Sequence, residues 1–238
     1  MRLYFNGLET TAHREVLRKA GVEYACLSFS YLLRYRSKID WEEEFSFLDG
    51  LIIRAGKCPN FMDEEDFIDR YLDFICEYQE DNMDFALEVP DKYWDDLPIP
   101  CAQYVEDTCG PFYGDIVAIS SKFFNNFQSS ANIYDLNECG FHVHGLGFYE
   151  LPRFDLWQQL LSANFSHWLY GKFGQTYRWR NEKLEVYYPG EEVVRRKIAE
   201  ELNKEGYNID ADKIRNSEWR EVNYMNAIAF QRYVAWMS

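Results

Sequence analysis

Two acidic residues stand beside apolar runs of the sequence, where a carboxylate is costly to bury unless it is used or hydrogen-bonded. Asp49 precedes the apolar run 51–53, and Glu88 lies within FALEV. Two such carboxylates on neighbouring strands could act as acid and base, or as a nucleophile and its orienting group, provided that their pKa values differ. The alternative for Asp49 is a turn residue, because Asp-Gly is a common turn signal.

Two histidines, His142 and His144, are two residues apart and therefore share one face of any strand that contains them. Such a pair could bind a metal ion, but no third ligand is evident, so a hydrogen-bonded polar layer is the alternative. Gly145 and Gly147 follow, and strand glycines indicate close approach of the backbone to a ligand or to the next strand. We expect no metal ion and no cofactor.

The basic residues are concentrated near the end of the chain. Residues 1–170 carry 13 Lys and Arg against 29 Asp and Glu, whereas residues 171–238 carry 12 against 11. Within this tail, four cations are interleaved with Phe, Tyr and Trp, a mixture suited to phosphates and stacked bases. The nucleic-acid-binding candidates are Lys172, Arg178, Arg180 and Lys183. The alternative is a solvated hairpin whose charges only keep it in solution.

Short β-rich runs recur along the chain, most of them followed by a helical pattern or a helix-length connection. They are Leu3–Asn6, Tyr24–Leu27, Phe47–Ile52, Phe85–Val89, Ile99–Tyr104, Asp115–Ile119 and Phe141–His144, with an eighth near Ala163–His167. The clearest helix is predicted from Glu64 to Tyr78. This alternation predicts an α/β fold, an irregular (β/α)8 TIM-like barrel, because an open doubly wound sheet usually shows a glycine-rich phosphate turn after its first strand.

The chain of 238 residues is close to the ~250 residues of a typical barrel. Two helices are predicted beyond the barrel, at Glu191–Glu205 and Ser217–Trp236, and no linker is evident. We therefore expect a single domain over 1–238, with the barrel over about 1–170 and a basic, aromatic hairpin and helices over about 171–238. The sequence also lacks an apolar signal core and a membrane-spanning run, which predicts a cytoplasmic protein without membrane contact.

In barrels of this kind, active sites form at the carboxyl ends of the strands. The polar residues that end the apolar runs are therefore the first candidates for chemistry. They include Asn6, Glu9, Ser28, Ser30, Asp49, Glu88, Gln103, Ser120, Ser121, His142, His144 and Asn164.

The order of short segments along the chain resembles the tRNA-guanine transglycosylase superfamily. The segments are LYFNGLE, EYACLSFSYL, FLDG, FALEVPD, DIVAISS, FHVHGLG and NFSHWLYGKFG. The most specific are HGLG at 144–147 and the Trp-Leu-x-Gly-x-x-Gly stretch at 168–174. The resemblance is greatest to the phage and bacterial branch that works on DNA and inserts modified 7-deazaguanine bases.

This resemblance implies a barrel that cleaves the N-glycosidic bond of a nucleobase in a polynucleotide and attaches another base through a covalent intermediate. Two aspartates usually do this work. The first, in a Leu-Asp-Ser-Gly context, matches Asp49, with Gly50 where serine is usual. The second, the nucleophile, falls on Asn164, whose amide does not readily attack a sugar carbon. Ser120-Ser121-Lys122 replaces the family's Gly-Gly-Leu loop and the zinc signature is absent, which disfavours guanine exchange in tRNA.

The resemblance and the departures from it together predict hydrolysis without base exchange. We expect a DNA glycosylase that excises a modified base, in a setting such as phage–host conflict, with Asp49, Glu88 and Asn164 as catalytic residues. One alternative is a base-exchanging transglycosylase that uses Asp49 as nucleophile to insert a deazapurine into DNA or tRNA. The other is a non-catalytic barrel that binds nucleic acid or a protein partner.

An enzyme that excises a base flips the target nucleotide into a pocket, and aromatic stacking and base-edge hydrogen bonds offset the unstacking cost. The expected partner is therefore DNA, and residues near the predicted strand ends are the candidates for reading the base. The substrate-binding candidates are Gln103, Ser120, Ser121, His142, His144, Gly145, Gly147 and Trp168.

Overall fold

The computed structural model describes residues 2–35, 45–78, 83–87, 99–103, 112–120, 127–148, 159–215 and 218–237. Two predicted site residues, Glu88 and Ser121, lie outside these ranges. Among the described residues, no helix combines the length and the apolar character needed to cross a membrane.

Eight strands of the described chain form one curled sheet. They are β1 (Arg2–Asn6), β2 (Tyr24–Ser28), β3 (Gly50–Arg54), β4 (Met83–Leu87), β5 (Ile99–Gln103), β6 (Phe112–Ser120), β7 (His142–Phe148) and β8 (Ser162–Phe165). Each strand pairs with the next along the chain, and β8 pairs with β1, so the pairings close into a ring. Six of these pairings are parallel, whereas β5 runs antiparallel to both β4 and β6.

The predicted α/β class is confirmed, but the ring is not a regular (β/α)8 barrel because β5 is reversed. Residues 88–98 connect β4 to β5, and residues 104–111 connect β5 to β6. Both connections are shorter than the dozen or more residues that a crossover between parallel strands usually needs. A reversal at each connection therefore suits the length of chain that is present.

The helices follow the strands in irregular order. They are α1 (Thr11–Ala20), α2 (Phe29–Tyr35), α3 (Glu64–Tyr78), α4 (Phe127–Glu138), a 3₁₀ helix (His167–Phe173), α5 (Glu192–Lys204), α6 (Ala211–Arg215) and α7 (Trp219–Met237). The prediction of a helix over Glu64–Tyr78 is confirmed. An antiparallel hairpin, β9 (Thr176–Arg180) and β10 (Lys183–Tyr187), lies between the 3₁₀ helix and α5.

Contacts within the chain divide it into two compact units. The first contains the described residues within 1–10 and 23–165, and therefore the ring of strands. The second contains residues within 11–22 and 166–238, so α1 groups with the hairpin and the C-terminal helices. The division falls between Phe165 and Ser166, near the predicted end of the barrel at about residue 170.

The core of the first unit lies inside the ring. Tyr4 of β1, Cys26 of β2 and Ile52 of β3 pack with Ile116 and Ala118 of β6 in one buried cluster. Because β3 and β6 are not neighbours in the sheet, these side chains meet across its interior. The middle of the ring is therefore filled, and a ligand would have to bind at one of its two ends.

Candidate functional site

The alternation of side chains along a strand identifies which residues face the interior of the ring. Cys26 and Ile52 face inward, so Ser28 and Arg54, two residues further along the same strands, face inward at the carboxyl ends. Together with neighbouring polar residues of β1 and β8 they form the group that we call the mouth cluster. It consists of Asn6, Glu9, Cys26, Ser28, Arg54 and Asn164.

Glu9 is the carboxylate of the mouth cluster. The chain turns directly after β1 at Gly7, whose φ of 112° favours glycine. Glu9 is only 6% exposed, and its Oε1 accepts a hydrogen bond of 2.8 Å from the backbone N–H of Ser28. The end of β2 therefore fixes the direction of a buried carboxylate at the carboxyl ends of the strands.

Arg54 brings a positive charge to the same end of the ring. It is the last residue of β3, and its cross-strand partner on β2 is Ser28, the residue that holds Glu9. Arg54 is partly buried, and its Nε is fully buried without a hydrogen-bond partner among the described residues. A buried guanidinium nitrogen without a partner costs free energy.

Cys26 and Asn164 lie deeper in the ring than Arg54. Both are fully buried, and the Asn164 Nδ2 donates to the Cys26 Sγ at 3.6 Å. Burial raises the pKa of the Cys26 thiol to about 12, while the charge of Arg54 lowers it and that of Glu9 raises it. The thiol therefore stays protonated at neutral pH, and Cys26 does not supply a thiolate nucleophile.

The loop after β3 closes tightly over the mouth cluster. A Cβ atom at Gly56 would lie 2.4 Å from the Ser30 Oγ and 2.8 Å from the Ser28 Oγ. These two hydroxyls are themselves 3.3 Å apart and buried. A larger residue at position 56 would therefore have to displace these two serine side chains.

Asp49 lies at the opposite end of the ring, and the prediction that it sits late in the third strand is wrong. The strand was expected at Phe47–Ile52 but begins at Gly50, so Asp49 precedes it. Asp49 is exposed, and its backbone N–H donates to the Glu23 carbonyl just before β2. The Asp-Gly pair thus marks the entry to the strand, which is the turn alternative considered above.

The two histidines of β7 lie in different environments. His144 is fully buried inside the ring, with its Nδ1 2.7 Å from the Ser162 Oγ, and burial lowers its pKa to about 3. His142 begins the strand, is exposed, and has its Nε2 3.4 Å from the Asp115 Oδ2. The polar-layer interpretation fits His144. Among the described residues, no group of three or more His, Cys, Asp and Glu is arranged to hold a metal ion.

The remaining substrate-binding candidates are spread over the molecule. Ser120 ends β6, and Gly145 and Gly147 lie within β7, so their backbones belong to the ring. Because β5 is reversed, Gln103 pairs with Phe112 at the amino end of β6. The prediction that Gln103 lies at the carboxyl ends of the strands is therefore wrong. Trp168 is 0% exposed inside the second unit, and its ring centroid lies 5.6 Å from that of His13. The prediction that Trp168 stacks on a base is therefore wrong.

The four predicted nucleic-acid-binding cations lie in the second unit, but they are not equivalent. Arg178 is engaged in ion pairs with Glu201 and, at 3.9 Å, with Glu185. Lys172 is exposed and stacks its Nζ over the Phe173 ring at 4.9 Å. Arg180 and Lys183 are exposed and directly opposite each other on the hairpin. Only the last pair combines exposure with mutual proximity.

Two members of the mouth cluster, Cys26 and Arg54, were not among the candidates named from the sequence. Glu9 was recognised only as a polar residue after the first strand, since nothing in its spacing indicates a hydrogen bond to Ser28. Arg54 was missed because the predicted strand ended two residues early, at Ile52 instead of Arg54. A prediction of the end of this strand to within one residue would have placed Arg54 at its carboxyl end.

Comparison of the chain with protein-family models, with curated proteins and with solved structures gives no match. The resemblance to the tRNA-guanine transglycosylase superfamily therefore rests on the short segments quoted above and remains a prediction.

Proposed function

We propose that the protein hydrolyses the N-glycosidic bond of a nucleotide in DNA and that the mouth cluster is the site of this reaction. The observation that carries the proposal is the buried, oriented carboxylate of Glu9, with Arg54 held on the other side of Ser28. Active sites of barrel enzymes lie at this end of the strands. A nucleotide flipped out of the duplex would present its sugar and base to this end.

The reaction breaks the bond between the sugar C1′ and the base nitrogen, and the base leaves with the bonding electrons and takes up a proton. The oxygen of water forms the new bond to C1′ and gives up its proton. The sugar carries positive charge in the transition state, as in other glycoside hydrolyses. Glu9 acts as the general base that accepts the proton of water, and its negative charge stabilises the developing cation.

Arg54 is proposed to hold the substrate, since guanidinium groups suit phosphate recognition. Its guanidinium, on a side chain that is only partly buried, would donate to a phosphate oxygen of the flipped nucleotide. Asn164 is fully buried and lies deeper than Arg54, so its proposed role is to shape the floor of the site through its amide. An amide at the position of the family's nucleophile favours direct attack by water over a covalent intermediate. Base exchange through Asp49 loses its support, because Asp49 lies at the amino ends of the strands.

A second candidate function is DNA binding without catalysis. It is favoured by Asn164 at the position of the family's nucleophile, and by Asp49, the match to the other family aspartate, lying before β3 instead of at the mouth. In this case Glu9 would serve only to anchor the end of β2. The two functions differ in whether free base appears in solution.

The test is mass spectrometry of bases released from a panel of modified and unmodified DNAs, with abasic sites counted in the same samples. The proposal predicts release of one base from at least one modified DNA. It also predicts that Glu9→Gln, which keeps an oxygen to accept from Ser28, slows release by about 10²–10⁴-fold. DNA binding without release by the wild-type protein across the panel would favour the binding function and overturn the proposed reaction.

A further inference from the structure

The second unit contains an open pocket of about 240 Å³ between the hairpin strand β9 and helices α5 and α7. Its floor consists of apolar side chains from the two helices that are otherwise buried. These are Ile198, Leu202, Met225, Ile228 and Ala229. Trp179 of β9 forms part of the wall and is supported by the rings of Tyr233 and Trp236, at centroid distances of 5.3 and 5.4 Å.

Three arginines line the pocket, and two of them form ion pairs with glutamates of the second unit. Arg178 forms an ion pair with Glu201 of α5. Arg232 of α7 forms an ion pair with Glu205, directly after α5. These ion pairs hold the hairpin, α5 and α7 together around the pocket. They leave Arg180 as the lining arginine without an ion pair to any residue that the structure describes.

Arg180 has a second cation beside it. The hairpin turns through Asn181 and Glu182, both with positive φ of 50° and 58°, so Arg180 and Lys183 are direct cross-strand partners. Their side chains therefore share one face, with Cβ atoms about 5 Å apart. Like charges in this arrangement destabilise a hairpin, and neither residue has an ion pair within the described chain. An anion at this point would offset the repulsion.

We propose that this pocket binds a phosphorylated nucleotide, with the phosphate between Arg180 and Lys183 and the base in the apolar pocket beside Trp179. The pocket is smaller than the roughly 300–1,000 Å³ of sites that enclose a drug-sized ligand. It therefore accepts a planar ring and leaves the sugar and phosphate outside, next to the two cations. A free nucleoside monophosphate and a nucleotide within a single strand share this chemistry. The proposal does not depend on the reaction at the mouth cluster.

The experiment measures binding of four probes to the full-length protein: deoxyguanosine monophosphate, deoxyguanosine, inorganic phosphate and a fluorescein-labelled single-stranded oligonucleotide. The nucleotide should bind at least about tenfold more tightly than the nucleoside or phosphate alone, since only it engages both parts of the site. Binding of the oligonucleotide but not of the free nucleotide would identify a polynucleotide as the source of the same chemistry. Absence of binding by both would overturn the proposal.

The double variant Arg180→Gln/Lys183→Gln tests the two cations. It should weaken binding of the nucleotide, or of the oligonucleotide where that is the ligand, by about tenfold or more. The matched control is Arg196→Gln/Lys197→Gln, which removes the same charge from the exposed face of α5, outside the pocket. Equal weakening in both variants would indicate general charge attraction and overturn the site. Circular dichroism of each variant verifies that the hairpin and helices are retained.

Discussion

At the scale of single residues, the mouth cluster depends on the close approach of the loop after β3 to the end of β2. Gly56 faces the hydroxyls of Ser28 and Ser30 within 2.4–2.8 Å of where a Cβ would stand. Its φ of 74° also lies in the left-handed region that L side chains rarely adopt. Because the Ser28 N–H holds Glu9, a disturbance at Gly56 reaches the proposed catalytic carboxylate.

Gly56→Ala is therefore expected to destabilise the protein more than Gly140→Ala. Gly140 has a similar φ of 88°, but nothing lies within 4 Å of an added Cβ. The control should lose about 1–2 kcal/mol for the left-handed backbone alone, and Gly56→Ala about 1–3 kcal/mol more for the steric clash. Urea denaturation of the two variants measures the difference. Equal losses would contradict the close packing over the mouth cluster.

Buried His144 makes stability depend on pH. Its pKa is about 3 in the fold and 6.5 in its ordinary state, because burial disfavours the charged ring. Below pH 6.5 the unfolded chain therefore binds a proton at His144 that the folded protein does not bind. The contribution of neutral His144 to the free energy of unfolding is complete above pH 6.5. It is lost as the pH falls toward 3, by at most about 1.4 kcal/mol per pH unit.

His144→Gln should accordingly reduce the loss of stability between about pH 7 and pH 5. His142→Gln is the control, because His142 is exposed on the same strand. Urea denaturation at the two pH values gives the comparison. An unchanged pH slope in His144→Gln would show that the imidazole is not held neutral inside the ring.

The exact bounds of the third strand could not be predicted from the sequence. Hydrophobic runs located the third strand, but its bounds shifted from Phe47–Ile52 to Gly50–Arg54. With the observed bounds, Asp49 lies at the amino end of the strand instead of the expected carboxyl end, and Arg54 lies at the mouth. The apolar pattern fixes which face of a strand is buried, but it does not define where hydrogen bonding to the neighbouring strand begins and ends.

At the scale of elements, Asn226 of α7 joins three parts of the second unit. Its Oδ1 accepts from the backbone N–H of Tyr177 at 2.8 Å, and its Nδ2 donates to the carbonyls of Trp168 and Gln175 at 3.3 and 3.1 Å. One side chain thus satisfies backbone groups in the 3₁₀ helix, in β9 and in the link between them. Asn223, one turn earlier, is equally buried, but neither atom of its amide has a partner among the described residues.

Replacing each asparagine with leucine, which has a similar shape, separates hydrogen bonding from packing. Asn226→Leu should lose about 2–4 kcal/mol of stability, because buried backbone groups are left without partners. Asn223→Leu should change stability by less than about 1 kcal/mol, since it removes a polar group that has no described partner. Thermal and urea unfolding measure both. Losses of equal size would contradict the role of Asn226 as the joint between these elements.

Elements with a strong local pattern were predicted well. The helix Glu64–Tyr78 was predicted with its observed bounds, because its apolar face repeats with helical spacing and Asp63 precedes it. The reversal of β5 was not predicted, since an apolar run has the same appearance in either direction. The direction of a strand depends on its partners and on the length of its connections, which a local pattern does not contain.

At the scale of the whole molecule, the net charge of −15 opposes attraction to DNA over long distances. We therefore expect contacts with phosphate to be concentrated at a few local cations, and Arg54 is a cation at the mouth. The sequence could predict the α/β class because alternating strands and helices have a regular rhythm. It could not define the site, because Glu9, Ser28 and Arg54 come together only when three strands are paired in register.

The rate of base release by Glu9→Gln and by Asp49→Asn on the same modified DNA shows directly whether the buried mouth carries out the reaction. Both variants replace one carboxylate with an amide, the first at the buried mouth and the second at the exposed amino end of the ring. If Glu9 is the general base, the rate falls by about 10²–10⁴-fold in Glu9→Gln and stays at the wild-type value in Asp49→Asn. A wild-type rate for Glu9→Gln, with release abolished in Asp49→Asn, would contradict this role of Glu9.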